Sequence, residues 1–130
     1  MRRLTVDVRP GQYTVVRLPG DASLPAGLVD APTADLVSVT RTTDELSVVC
    51  RTESAVPAEQ AEHGWRLLTV RGPMEFTLTG ITAAVSGALA AAGVPLFALS
   101  TFDTDHLLVK DVDLGRATAA LRDAGHEVVG

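Results

Sequence analysis

The chain has 130 residues, 46% of them hydrophobic, enough to bury a core in one compact domain or in two small ones sharing a sheet. Its formal charge of −5, with basic residues scattered singly and 4% aromatics, argues against a nucleic-acid surface, which needs a concentrated positive stripe. Cys50 is the single cysteine, so an intrachain disulfide, a paired-thiol zinc motif and a CxxC redox motif are excluded, and a reducing, cytoplasmic setting is expected.

The opening "MRRLTVDVRPGQ" alternates apolar and polar residues and lacks the unbroken apolar core of a signal peptide. Leu4, Val6 and Val8 define a half-buried strand, and "RPGQ" predicts a hairpin turn into a second strand, "YTVVRLP". "GDASLPAGLVDAPTA" reads as a loop with at most a short helix over residues 24–29. Two strands follow, 36–41 and 46–51, joined by the polar turn Thr42-Thr43-Asp44-Glu45. "TESAVPAEQAEHG" punctuates the chain, with a helical turn expected from Pro57. It divides the chain into units 1–63 and 64–130.

The second unit is more regular. Strand "WRLLTV" and loop "RGPMEFTL" lead into a helix, "TGITAAVSGALAAAG", with Thr79 as its cap and Gly93 as its left-handed terminus. Ile81, Val85, Ala88, Leu89 and Ala92 share one apolar face of it, which lies on a sheet. The stretch "ITAAVSGALAAAGVPLFAL" is broken by Gly87, Gly93 and Pro95 and so does not read as a membrane span. Strands "VPLFALSTF" and "HLLVK" come next, then a second amphipathic helix with Leu114, Ala117, Ala120, Leu121 and Ala124 on one face, ended by Gly125, and a last strand, "HEVV". Strand, helix, strand, strand, helix, strand is the split βαβ, ferredoxin-like arrangement of an α+β fold, with antiparallel sheets and helices on one face. The first unit repeats that order with shrunken helices.

Two stretches offer chemistry. In "GPMEFTLTGI", a loop runs into a helix start, whose unpaired N–H groups and dipole suit a carboxylate. Gly72 and Gly80 permit close approach, Thr77 and Thr79 offer hydroxyls, and Glu75 suits a cation; equally, the glycines serve turn geometry, Glu75 faces water and Thr79 only caps. In "STFDTDHLLVK", Asp103 and Asp105 are ordinary tight-turn residues, and Asp105 and His106 face opposite sides once the strand begins, so neither metal binding nor catalysis is expected. His63 and His126 have no evident acid–base partner, Cys50 reads as a small buried hydrophobe, and no nucleophile elbow, P-loop or dinucleotide fingerprint occurs. No enzyme, cofactor or metal is implied.

The words "TRTTDELSVVC", "GWRLLTVRGPMEFTLTGI" and "LSTFDTDHLLVK", in this order, resemble the ACT-domain family, in the subgroup of the eukaryotic cytosolic arginine sensors and related small bacterial proteins. The resemblance implies two tandem ACT-like units, the first degenerate and the second complete. It implies a regulatory or sensing role in which an amino acid, arginine or another, binds at a domain or subunit interface, here in a homodimer. It also implies a site at Gly72, Glu75, Thr77, Thr79, Gly80 and Ile81, with Asp105 facing the ligand's cationic groups, Thr101 and Phe102 beside it, and backbone around Leu96 of a neighbouring domain closing the pocket. Pro95 removes one N–H donor from that last segment. The alternative is a protein-interaction adaptor with a vestigial pocket, using a sheet edge for its partner.

Overall fold

Where apolar residues alternate, one side of a strand can be buried; where they recur every three or four residues, one face of a helix can. The computed structural model describes residues 3–30, 35–72 and 81–130, apart from the side chains of residues 81 and 82. In chain order its strands are β1 (Thr5–Val8), β2 (Tyr13–Pro19), β3 (Ser38–Arg41), β4 (Glu45–Arg51), β5 (Gln60–Val70), β6 (Leu96–Ser100), β7 (Asp105–Lys110) and β8 (Glu127–Val129), and its helices are α1 (Ile81–Ala91) and α2 (Leu114–Asp123). Two compact units result, one of residues 1–10 and 66–130, the other of residues 11–65.

In the larger unit β7 pairs with both β6 and β5, and β1 lies between β5 and β8. β1 runs antiparallel to β5, Val6 opposite Val70, and parallel to β8, Val6 opposite Val128. This is the expected βαββαβ arrangement with one strand added between its first and last strands. The expected hairpin from β1 into β2 is therefore corrected: among the described residues β1 has β5 and β8 as neighbours. Its slot pairs the backbone on both sides, where an outer hairpin strand would leave one row of N–H and C=O groups unpaired. Leu4 and Val6 join Leu68, Val70, Leu107, Val109 and Val128 in a core completed by Val85 and Leu89 of α1 and Ala117 and Leu121 of α2. A fully buried side chain such as Leu89 contributes about 1.5–3 kcal/mol through lost water contact.

Both helices end as their glycines dictate. Gly93 takes φ +73°, its N–H bonds the Ala90 carbonyl and the Val94 N–H bonds the Leu89 carbonyl, and Val94 drops into the core. At the end of α2 the equivalent bonds run from Gly125 to Arg122 and from His126 to Leu121. His126 is 4% exposed, and its Nδ1 accepts the Leu4 N–H at 3.1 Å, a partner invisible in the sequence.

The smaller unit has strand order β3-β4-β2-β5, all antiparallel. That is the ferredoxin-like order again, with its two helices reduced to 3₁₀ turns at Leu28–Asp30 and Thr52–Ser54. Val16, Leu28, Leu46, Val48 and Cys50 form its core. Burial raises the Cys50 thiol pKa, with Glu53 adding to the rise, as suits an inert packed side chain.

The helical turn expected from Pro57 is replaced by the earlier turn at Thr52–Ser54 and by strand from Gln60 onward. Gln60, Ala61 and Glu62 pair with Arg17, Val16 and Val15 of β2, and Trp65 pairs with Tyr13. His63 and Gly64 thus stand opposite Thr14 alone, a β-bulge, with Gly64 at φ +78°. The buried Thr14 hydroxyl fills the gap, 3.0 Å from His63 Nδ1 and 2.9 Å from the Thr52 hydroxyl. The expected division after residue 63 falls inside β5, and strand β1 groups with the later residues.

A Cβ at Gly64 would meet nothing within 4 Å, so its cost is purely conformational. Gly64→Ala should lower stability by about 1–2 kcal/mol in urea unfolding. A loss below about 0.5 kcal/mol would mean that the bulge is not fixed as described.

Candidate functional site

The stretch "STFDTDHLLVK" folds as a hairpin whose end is tied by hydroxyls. β6 and β7 pair in antiparallel register from Leu96 opposite Val109 to Ser100 opposite Asp105. The turn 101–104 closes through the Thr101 N–H to the Thr104 carbonyl, 2.8 Å, with the Thr101 hydroxyl donating to the same carbonyl at 3.1 Å. Thr104 then ties the turn to the end of β5 by donating its hydroxyl to the Val70 carbonyl, 2.6 Å. The expectation that Asp103 shapes the turn through its own side chain is thereby corrected: threonine hydroxyls do that work. Asp105 is the first residue of β7, and its Oδ1 accepts the Ser100 hydroxyl at 2.6 Å. Phe102, 82% exposed, projects from the turn beside exposed Thr101 and Asp103.

His106 faces the other way, its Nδ1 3.0 Å from the hydroxyl of buried Thr69. Burial lowers the His106 pKa and the Arg9 charge lowers it further, against the opposing pull of Asp105. On the same sheet Arg71 grips Asp7 with both ends of its fork, Nη2 to Oδ1 at 2.6 Å and Nε to Oδ2 at 3.1 Å. Hydrogen bonding to Arg71 lowers the Asp7 pKa despite its partial burial. This pair, with the Arg71 N–H on the Thr5 carbonyl, fixes the chain one residue before Gly72.

Thr101, Phe102 and Asp105 are thus brought together at one hairpin end. Leu96 is half-buried on the core at the far end of β6, about 13 Å of strand away at the usual rise per residue. Within one chain it does not join them. Gly72 lies exposed in a bend after β5. Glu75, Thr77, Thr79 and Gly80 lie outside the described residues, as does the side chain of Ile81, the first residue of α1. Ser100 and Thr104 were missed as site residues because only the strand register shows Ser100 opposite Asp105. Among the described residues no three His, Cys, Asp or Glu side chains are grouped as a metal site, and no helix is long and apolar enough to cross a membrane.

The strand order and the two helices define a ferredoxin-like α+β class of domain, and similarity to known proteins narrows it. An ACT-domain family model matches residues 60–123, and a second model, of an N-terminal domain, matches residues 11–59. The chain is 37% identical over 59 residues to the Homo sapiens protein "cytosolic arginine sensor for mTORC1 subunit 1", a match covering 45% of this chain and 18% of the sensor. A crystal structure of an Agobacterium tumefaciens protein is 35% identical and superposes with a TM-score of 0.88, covering 99% of this chain and 94% of that one. The ligand-free regulatory subunit of aspartate kinase from Thermus thermophilus shares the fold at a TM-score of 0.63 and 12% identity, covering 92% of this chain and 97% of that one. The chain belongs to the ACT-domain family, in the subgroup that contains the cytosolic arginine sensors.

A histidine held neutral by burial stabilises the fold fully above its unfolded pKa of about 6.5, and the contribution is lost as pH falls through that value towards the lowered folded one. Urea unfolding at about pH 7.5 and about pH 5.5 should show wild type losing more stability on acidification than His106→Gln. Equal losses would contradict the assignment.

Proposed function

We propose that this chain is an amino-acid-binding regulatory module, not an enzyme, acting in the cytoplasm as a homodimer of twice the 13.6 kDa chain mass. The observation that carries the reading is the Asp105 carboxylate, held by Ser100 at an exposed hairpin end beside Phe102, in a chain of the ACT-domain family. A carboxylate at a hairpin end whose turn carries an exposed aromatic residue suits an ammonium or guanidinium group, through charge-assisted hydrogen bonds and a π face.

In this reading the segment from Gly72 to Ile81 forms the second wall. Glu75 meets a cation there, Thr77 and Thr79 supply hydroxyls, and the start of α1 takes the ligand's carboxylate on N–H groups. The third wall is backbone around Leu96 of the second copy, because Leu96 of the same chain is too far from Asp105 to serve. The arginine sensors motivate arginine as a ligand to test first. The smaller unit, with its reduced helices, is read as a degenerate ACT-like partner of the complete one.

Asp105 and Asp103 separate this reading from the adaptor. For whichever proteinogenic amino acid raises the thermal stability of the protein, calorimetry should show at least about tenfold weaker binding for Asp105→Asn, or about 1.4 kcal/mol, and less than about threefold for Asp103→Asn. Small, equal losses, or no stabilisation by any amino acid, would favour an adaptor that uses a sheet edge.

A further inference from the structure

We infer that Ser100 is a positioning residue for Asp105, and that the two side chains act as one seat for a ligand's cationic N–H. The inference rests on the reading of Asp105 as the ligand's carboxylate. It starts from the register: Ser100 and Asp105 are the last paired residues of the hairpin, so their side chains leave the same face of the sheet next to each other. Their separation of 2.6 Å is that of a hydroxyl donating to an ionised carboxylate. This hydrogen bond orients the carboxylate, and the turn behind it is closed by Thr101 and Thr104.

The bond has a second consequence. A serine hydroxyl carries one proton, and here that proton points at Asp105. Towards any ligand Ser100 can therefore only accept. The pair presents acceptors from two side chains and no donor, which selects a cationic N–H group and rejects a carboxylate or phosphate. A fixed carboxylate also loses less rotational freedom on binding than a mobile one.

Ser100 is exposed, so its substitution should leave the fold intact. The test uses the full-length protein, the variants Ser100→Ala, Ser100→Thr, Asp105→Asn and the double variant, and the twenty proteinogenic amino acids as probes. NMR couplings should show Asp105 in one side-chain rotamer in wild type and Ser100→Thr and averaged in Ser100→Ala. The tightest-binding amino acid should bind about three- to tenfold more weakly to Ser100→Ala and regain affinity in Ser100→Thr, and Ser100→Ala should cost nothing further in the Asp105→Asn background.

Unchanged Asp105 couplings in Ser100→Ala, or losses that multiply independently in the double variant, overturn the inference while leaving the binding reading standing. Absence of binding by all twenty amino acids to wild type overturns that reading and the inference with it. Loss of binding in Asp105→Asn without any loss in Ser100→Ala overturns the inference alone.

Discussion

The larger unit depends on one constraint, the insertion of β1 between β5 and β8. A split βαββαβ chain can place its first and last strands side by side, but here β1 separates them, antiparallel to one and parallel to the other. Leu4 and Val6 then sit in the middle of the core, and their backbone is paired on both sides. The same strand brings Asp7 to Arg71, Thr5 to the Arg71 N–H and Arg9 towards His106. Through β5, which accepts the Thr104 hydroxyl at Val70, that order reaches the end of the β6–β7 hairpin.

What the hairpin end offers is a charge without freedom. The turn is closed by threonine and backbone groups, and Ser100 engages the Asp105 carboxylate from the opposite strand. The ring of Phe102, in the turn between Thr101 and Asp103, is exposed at the same end.

Local signals in the sequence were readable, and relations between distant residues were not. Gly93 and Gly125 end their helices as read, because an αL terminus is decided within six residues. Val85, Leu89, Ala117 and Leu121 face the core as their spacing requires. The slot of β1 could not be read, since pairing Val6 with Val70 and Val128 spans most of the chain, and the nearby "RPGQ" argued for a local hairpin. Gly64 in "AEQAEHG" looks the same whether it ends an element or kinks a strand; only the pairing with β2 makes it a bulge. Asp105 is proposed from family resemblance, whereas the pairing of Ser100 with it, five residues apart, needed the hairpin register.

In the proposed reading an amino acid binds at the hairpin end in a pocket completed by a second copy. A crystal structure of the protein with its tightest-binding amino acid tests it most directly. The ligand's cationic nitrogen should lie against the Asp105 carboxylate, with the segment around Leu96 of another copy on the ligand's far side. An amino acid seated away from Asp105, or held wholly within one chain, would contradict it.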